Sequence, residues 1–409
     1  MPPPSLPRPQ LPLLLVALAL VALLAAPAPA PGRAQAPATF ATTGNLPWLT
    51  VLCRASDAAY PQADPVAWFS RLMTDQPPGF DSYWRELSYG AMTIAGSRVV
   101  GVYTLPGPAD SYFELRNGAR YLRSGVVSAC LDAADPDVFF PDFAGFHVIF
   151  PGLPAYGGRV ASEGGLTTLS RDGRQKDYGF TQIVVANPAH SYIAHEWAHA
   201  LGLMHSGGPY ASDYDSSWDV VSGGRFAPPC PNADPVYRCP GQHTIAYHKD
   251  RLGWIPAERI LTVMPGTVHR VRLGQLATMP ADPATYLYIK VPFSLYTEFG
   301  KGFYTIEARR QVGYDQSIPG NAVVVHTVDE FFNYFHRSAQ VLDLDNNGNP
   351  NDAGAMWTPG ETLVRSADGI TLVMCVEAET ASGFTLTVAS NADACGVSIG
   401  RTFLPQLQR

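Results

Sequence analysis

The stretch His195-Glu196-Trp197-Ala198-His199-Ala200-Leu201-Gly202-Leu203-Met204-His205 constrains this chain more than any other. At 3.6 residues per turn, His195 and His199 stand one turn apart on one helix face, so their imidazoles can converge on one ion. Gly202 admits a backbone conformation closed to other residues, which ends the helix and turns the chain. His205 can then swing back as a third ligand, whereas a helix running straight on would point it elsewhere. Asn187-Pro188 supplies a start signal, since Pro is tolerated in a first turn. Chance is a weak rival. From this composition the first four-spaced pair with its Glu arises in roughly one chain in 150, and the extended pattern in roughly one in 70,000.

The chemistry expected of that segment follows from its donors. Zinc accepts nitrogen at about 2.0–2.1 Å and keeps an open fourth position when only three protein groups bind it. Glu196, beside the first ligand, can face a water at that position rather than the metal. Zinc lowers the pKa of its water towards 7 and polarises a carbonyl. Glu196 would take the water proton and later hand it to a leaving amine. The natural acceptor is a peptide bond, so a protein or peptide is the expected substrate. No Ser-His-Asp or Cys-His arrangement stands out, and a Gly-x-Ser-x-Gly elbow is absent.

The segment resembles the extended zinc-binding signature of metzincin-type metallopeptidases. The likeness continues through Ser217-Trp218-Asp219-Val220-Val221-Ser222-Gly223-Gly224, which resembles the turn beneath the zinc, and through Ala246–Trp254 (AYHKDRLGW). This ordering is similar to secreted metallopeptidases of the immune-inhibitor-A and gametolysin types. So are Tyr83–Gly90 (YWRELSYG), Tyr304–Arg309 (YTIEAR) and Gly313–Pro319 (GYDQSIP). The resemblance implies His195, His199 and His205 as zinc ligands and Glu196 as base, in a zincin-like α+β domain. Two departures stand out. Val221 occupies the place where the turn usually holds Met, a residue that forms an apolar floor and is not a ligand. Little chain lies between the amino-terminal segment and Trp48, so an inhibitory propeptide of the usual size has no room. Those two features motivate a second reading: a weak or inactive secreted binding or adhesion protein on a metalloprotease scaffold.

Residues 1–36 read as an export signal. They hold Arg8 and Arg33 and no acid, an apolar run over Leu11–Ala26 and a small-residue cleavage site at Ala34-Gln35-Ala36. Without them, 26 basic side chains face 35 acidic ones, a net charge of −9. An acidic surface with no basic run argues against nucleic acid as a partner. No later stretch is apolar enough to cross a bilayer, so the mature chain is expected to be secreted. The composition carries no signal for an oligomeric state. Six cysteines fit an oxidising compartment. They allow fifteen pairings, of which neighbour pairing (Cys53 with Cys130, Cys230 with Cys239, Cys375 with Cys395) is the simplest.

Along the chain, Trp48–Leu52, Ser97–Leu105, Phe146–Phe150 and Thr181–Ala186 read as strands, and Pro65–Met73 and Asp81–Tyr89 as helices. After Trp254 strand-like runs recur at short intervals, the rhythm of an all-β module. The expected architecture is a catalytic α+β domain over 37–265, a β-sandwich-like domain over 266–400 and a tail over 401–409. His147 and His326 lie in apolar strands and read as core histidines. His248 and Tyr247 follow the turn and are candidates for reaching an oxyanion. The glycines around Gly157 and Gly164 border a loop or an edge strand able to pair with an extended substrate. Asp343-Leu344-Asp345-Asn346-Asn347-Gly348 looks like the start of a calcium loop, with oxygens from Asp343, Asp345 and Asn347. Position 12 of that loop is Gly354 rather than Glu, and Asp352 could substitute.

Overall fold

Apolar runs too continuous to alternate demand burial on both faces, and they sit in the middle of a sheet. The computed structural model describes residues 40–399, except 117, 152–158, 185–187, 211–213, 224–229, 294–301, 331–336 and 368. The export segment, Gly157-Gly158, Asn187 and the 401–409 tail therefore lie outside the described residues. Five strands form the first sheet: β1 (Trp48–Arg54), β2 (Arg98–Thr104), β3 (Gly145–Ile149), β4 (Glu163–Arg171) and β5 (Arg174–Ile183). Their order is β2-β1-β3-β5-β4. The pairings are parallel except the last, so β4 is an antiparallel edge strand. Of the expected strand at Thr181–Ala186, Thr181–Ile183 form the end of the longer β5, and residues 185–186 lie outside the described residues. The β4–β5 hairpin turns on Asp172-Gly173, whose φ values of 51° and 70° are those a two-residue primed turn requires.

Helices cover both faces. On one, Trp48 from β1 packs with Phe69 of α1 (Pro65–Leu72), Phe80 and Trp84 of α2 (Phe80–Leu87) and Trp197. Asp64 caps α1 by accepting from the Ala67 amide at 2.9 Å. On the other face, Leu49, Val51 and Val148 meet Leu131 of α3 (Val126–Ala134). The Cys53–Cys130 disulfide joins β1 to α3, and the other bridges are Cys230–Cys239 and Cys375–Cys395. All three are the neighbour pairs expected from sequence.

Two further sheets share one apolar core that includes Val271, Ile306, Val325, Leu372 and Leu386. One runs Thr285–Tyr286, Thr267–Gly274, Gly383–Ser390, Ile370–Thr380, Thr362–Ala367. The other runs Ser206–Gly207, Ala339–Val341, Ala322–Asp329, Gly302–Arg309, Tyr288–Pro292, Ile260–Thr262. The fold is thus α+β. Two strands from before residue 265, Ser206–Gly207 and Ile260–Thr262, belong to the sheet built by the later chain, and the described residues form one compact unit. No helix among the described residues is long and apolar enough to cross a membrane.

Candidate functional site

The helix that carries the site, α4 (His190–Ala200), has no side-chain cap at its start. Its first amides are satisfied from a distance: His190 N donates to Tyr237 O at 2.9 Å and Ser191 N to Cys239 O at 3.0 Å. The Cys230–Cys239 bridge closes the loop that supplies those carbonyls. The far end stops at Gly202, with φ of +88°. There Leu203 N donates to Ala198 O and Gly202 N to His199 O, the double bond pattern of a Schellman turn. That reversal brings His205 back towards the helix.

The three imidazoles converge. The Nε2 atoms of His195, His199 and His205 stand 3.1–3.3 Å apart. His195 Nδ1 contacts Val220 O and His199 Nδ1 contacts Leu203 O, each at 2.8 Å. A carbonyl only accepts, so those Nδ1 atoms carry the protons and both Nε2 atoms present lone pairs. Two lone pairs 3.2 Å apart cannot hydrogen-bond to each other, but they can share a cation. Three nitrogens at about 2.0–2.1 Å from a tetrahedral ion would lie about 3.3 Å apart, close to the spacing observed. The donor set fits a metal that favours imidazole. Burial, then the neighbouring His199 and His205, lowers the pKa of His195 to about 3. Burial, then His205, lowers that of His199 to about 4. Both rings are therefore neutral at neutral pH, the form a metal needs.

Behind His195, the turn is built on Asp219, which is fully buried. Its carboxylate takes Ser206 Oγ at 2.7 Å, Thr244 Oγ1 at 2.8 Å, Val221 N at 3.2 Å and His248 Nδ1 at 2.9 Å. Burial pushes this carboxyl up, but His248, Ser206 and Thr244 together outweigh it and hold it at about 2. Val221 is fully buried in the apolar cluster that holds Ala194 and Trp197.

The triad opens into a cleft of about 590 Å³. One wall is edge strand β4 with the residue before it, Ser162–Leu166; the others carry Glu196, the turn Gly202–His205, Tyr214 and Arg337. Gly164 lies so close to α4 that a Cβ there would stand 1.8 Å from Glu196 O. Glu196 is 7 % exposed, and burial followed by the charge of Glu163 pushes its pKa up to about 8. Without a metal this carboxyl keeps its proton at neutral pH; a cation at the triad would favour the carboxylate, the form that accepts a proton.

Tyr214 and Arg337 have no motif and were not legible in the sequence. Tyr214 sits with its ring 5.2 Å from that of His205. Arg337 donates to Gly208 O at 3.0 Å and to Tyr210 O, and faces Asp215 at 3.7 Å. His248 and Tyr247 line a smaller neighbouring cavity of about 230 Å³ rather than the cleft. His147 is a core residue between Trp48 and Trp197, bonded to Thr181 Oγ1 at 2.7 Å. His326 is buried in its strand. Away from the cleft, Asp343, Asp345 and Asp352 bring carboxylate oxygens within 4.8 Å of one another. Asn347 meets them through its amide nitrogen, which donates to Asp345 at 3.0 Å and Asp352 at 2.9 Å. Set against known proteins, the chain matches no family model and no curated protein.

Proposed function

We propose that this chain is an exported zinc-dependent endopeptidase of metzincin type, with His195, His199 and His205 as ligands and Glu196 as general base. The observation that carries this reading is the closed triangle of Nε2 atoms, 3.1–3.3 Å on a side, beside a buried carboxylate at the floor of an open cleft. Zinc held there would supply Lewis acidity that polarises a carbonyl and acidifies water. Glu196 takes the proton from the attacking water and passes it to the leaving amine. The backbone carbonyls of Val220 and Leu203 fix the tautomers of His195 and His199, so the rings need no reorganisation on loading. Edge strand β4 holds an extended peptide by backbone pairing along 163–166, which places a scissile bond over Glu196. The parallel sheet with its antiparallel edge above the helix supports a zincin-like catalytic domain. Export is supported by the three disulfides and by the basic, then apolar, segment at residues 1–36.

The test is cleavage of a mixed peptide library by the purified protein. Internal peptide bonds should be cut, a chelator should stop cutting, and added zinc should restore it. An intact library after incubation with zinc-loaded protein would overturn the reading.

A further inference from the structure

We propose that Asp343, Asp345 and Asp352 hold a calcium ion that props the outer wall of the cleft. The three carboxylates come from one loop, and their oxygens lie within 4.8 Å of one another. Asp343 is 8 % exposed. Its Oδ2 accepts from the Tyr210 hydroxyl at 2.5 Å, while its Oδ1 is buried with no hydrogen-bond partner. That orphaned oxygen lies beside Asp345. A Cβ on Gly354 would lie 2.3 Å from Asp343 Oδ1 and 2.7 Å from Asp345 Oδ1, so both oxygens point into the same small space, open only because residue 354 has no side chain.

A buried carboxylate oxygen beside a second carboxylate, in a cluster of three, is costly without a cation. Burial, then the charge and close carboxyl contact of Asp345 and the charge of Asp352, push the Asp343 carboxyl above its ordinary range, although the Tyr210 hydroxyl works against them. An all-oxygen set suits a hard ion. Calcium takes six to eight oxygens at about 2.3–2.6 Å, so oxygens across its shell lie up to about 5 Å apart, and the separations here, none above 4.8 Å, fit within it. Magnesium needs a tighter octahedron of about 2.0–2.1 Å and gives up its waters reluctantly.

The loop is joined to the cleft. Just after Asp345, Pro350 O accepts from Trp218 Nε1 at 3.1 Å. Asn351 accepts from Ser217 N and donates to Asp215 O, both at 2.6 Å. These bonds brace the segment that presents Tyr214 to the cleft and Val220 O to His195. A cation at the acids therefore fixes the cleft wall from outside the triad.

The test uses the full-length Glu196→Gln protein, stripped of calcium, kept with one equivalent of zinc, and titrated calorimetrically with calcium or magnesium chloride. One calcium per chain should bind, with Kd between about 10⁻⁶ and 10⁻³ M. Magnesium should bind at least about tenfold more weakly, and 10 mM calcium (about ten or more times Kd) should raise Tm by several degrees. Asp343→Asn and Asp345→Asn should abolish both the heat and the Tm rise. Asp345 is exposed, so its variant should fold even if Asp343→Asn does not. No calcium uptake by the parent, or undiminished uptake by Asp345→Asn, would overturn the proposal. Neither readout depends on peptide cleavage, so this proposal and the peptidase reading can fail separately.

Discussion

Glu196 is a carboxylate almost without solvent, and that position has a measurable consequence in metal-free protein. Its pKa lies near 8 in the fold against 4.5 ordinarily, with burial the main cause. Between those values the folded chain keeps a proton that the unfolded chain has lost, so this residue lowers stability as pH rises through that window. Glu196→Gln has no proton to lose. In excess chelator, the variant should be more stable than the parent by about 1–3 kcal/mol at pH 7, with the difference vanishing towards pH 4.5. Urea unfolding at the two pH values checks this; equal stability at pH 7 would mean that Glu196 is ionised and solvated. Gly164 makes a second residue-scale demand. Any side chain there meets the Glu196 carbonyl at 1.8 Å, so β4 must move away from α4. Gly164→Ala should cost about 2–3 kcal/mol. Its cleavage rate should fall with its zinc content intact, because the cleft wall shifts and the triad does not.

At the scale of elements, the helix and the turn were legible to different degrees. The spacing of His195, His199 and Gly202 dictates a helix, its end and the return of His205, and the structure has each. Pro188 stands two residues before the start of α4, but the partners of its first amides were not legible. Its amides are capped by the Tyr237 and Cys239 carbonyls some 47 residues on, and no local signal encodes a partner that distant. Strand β4 was read as glycine-rich loop or edge, because Gly164 and Gly165 mask its alternation. The Asp172-Gly173 pair was the available hairpin signal. The turn beneath the triad depends on one side chain. Asp219 holds Ser206, Thr244, Val221 and His248 together, and Val220 O orients His195. Asp219→Ala should cost about 3–5 kcal/mol, since it leaves His248 and two hydroxyls buried without their partner. Zinc affinity should drop about 10–100-fold, because the carbonyl behind His195 loses its support. Competition with a chromophoric chelator measures this, and wild-type affinity in that variant would show the turn to be self-supporting.

At the scale of the molecule, the first sheet and its helices lean on the later chain. Ala246 N donates to Glu307 at 2.5 Å, His243 N to Asp315 at 2.9 Å, and Tyr314 N to Glu86 at 2.9 Å. Arg309, fully buried, pairs with both Glu307 and Asp315 and donates to Trp218 O. Ser206–Gly207, directly after His205, pairs with Ala339–Gln340. A chain ending at residue 265 strands all these groups, so the fragment 37–265 should lack cooperative unfolding and bind zinc poorly. A sharp thermal transition in that fragment would contradict this. Contacts of the same long range explain why Arg337 could not be read from sequence: it reaches the cleft from the later chain, bonded to Gly208 O and Tyr210 O.

The central claim is that three imidazoles hold zinc while Glu196 moves the proton. Its most direct test is one paired measurement on full-length Glu196→Gln: zinc content by mass spectrometry and turnover of a peptide that the wild type cuts. We predict close to one zinc per chain with turnover reduced at least about a thousandfold. Full zinc with wild-type turnover would contradict the claim.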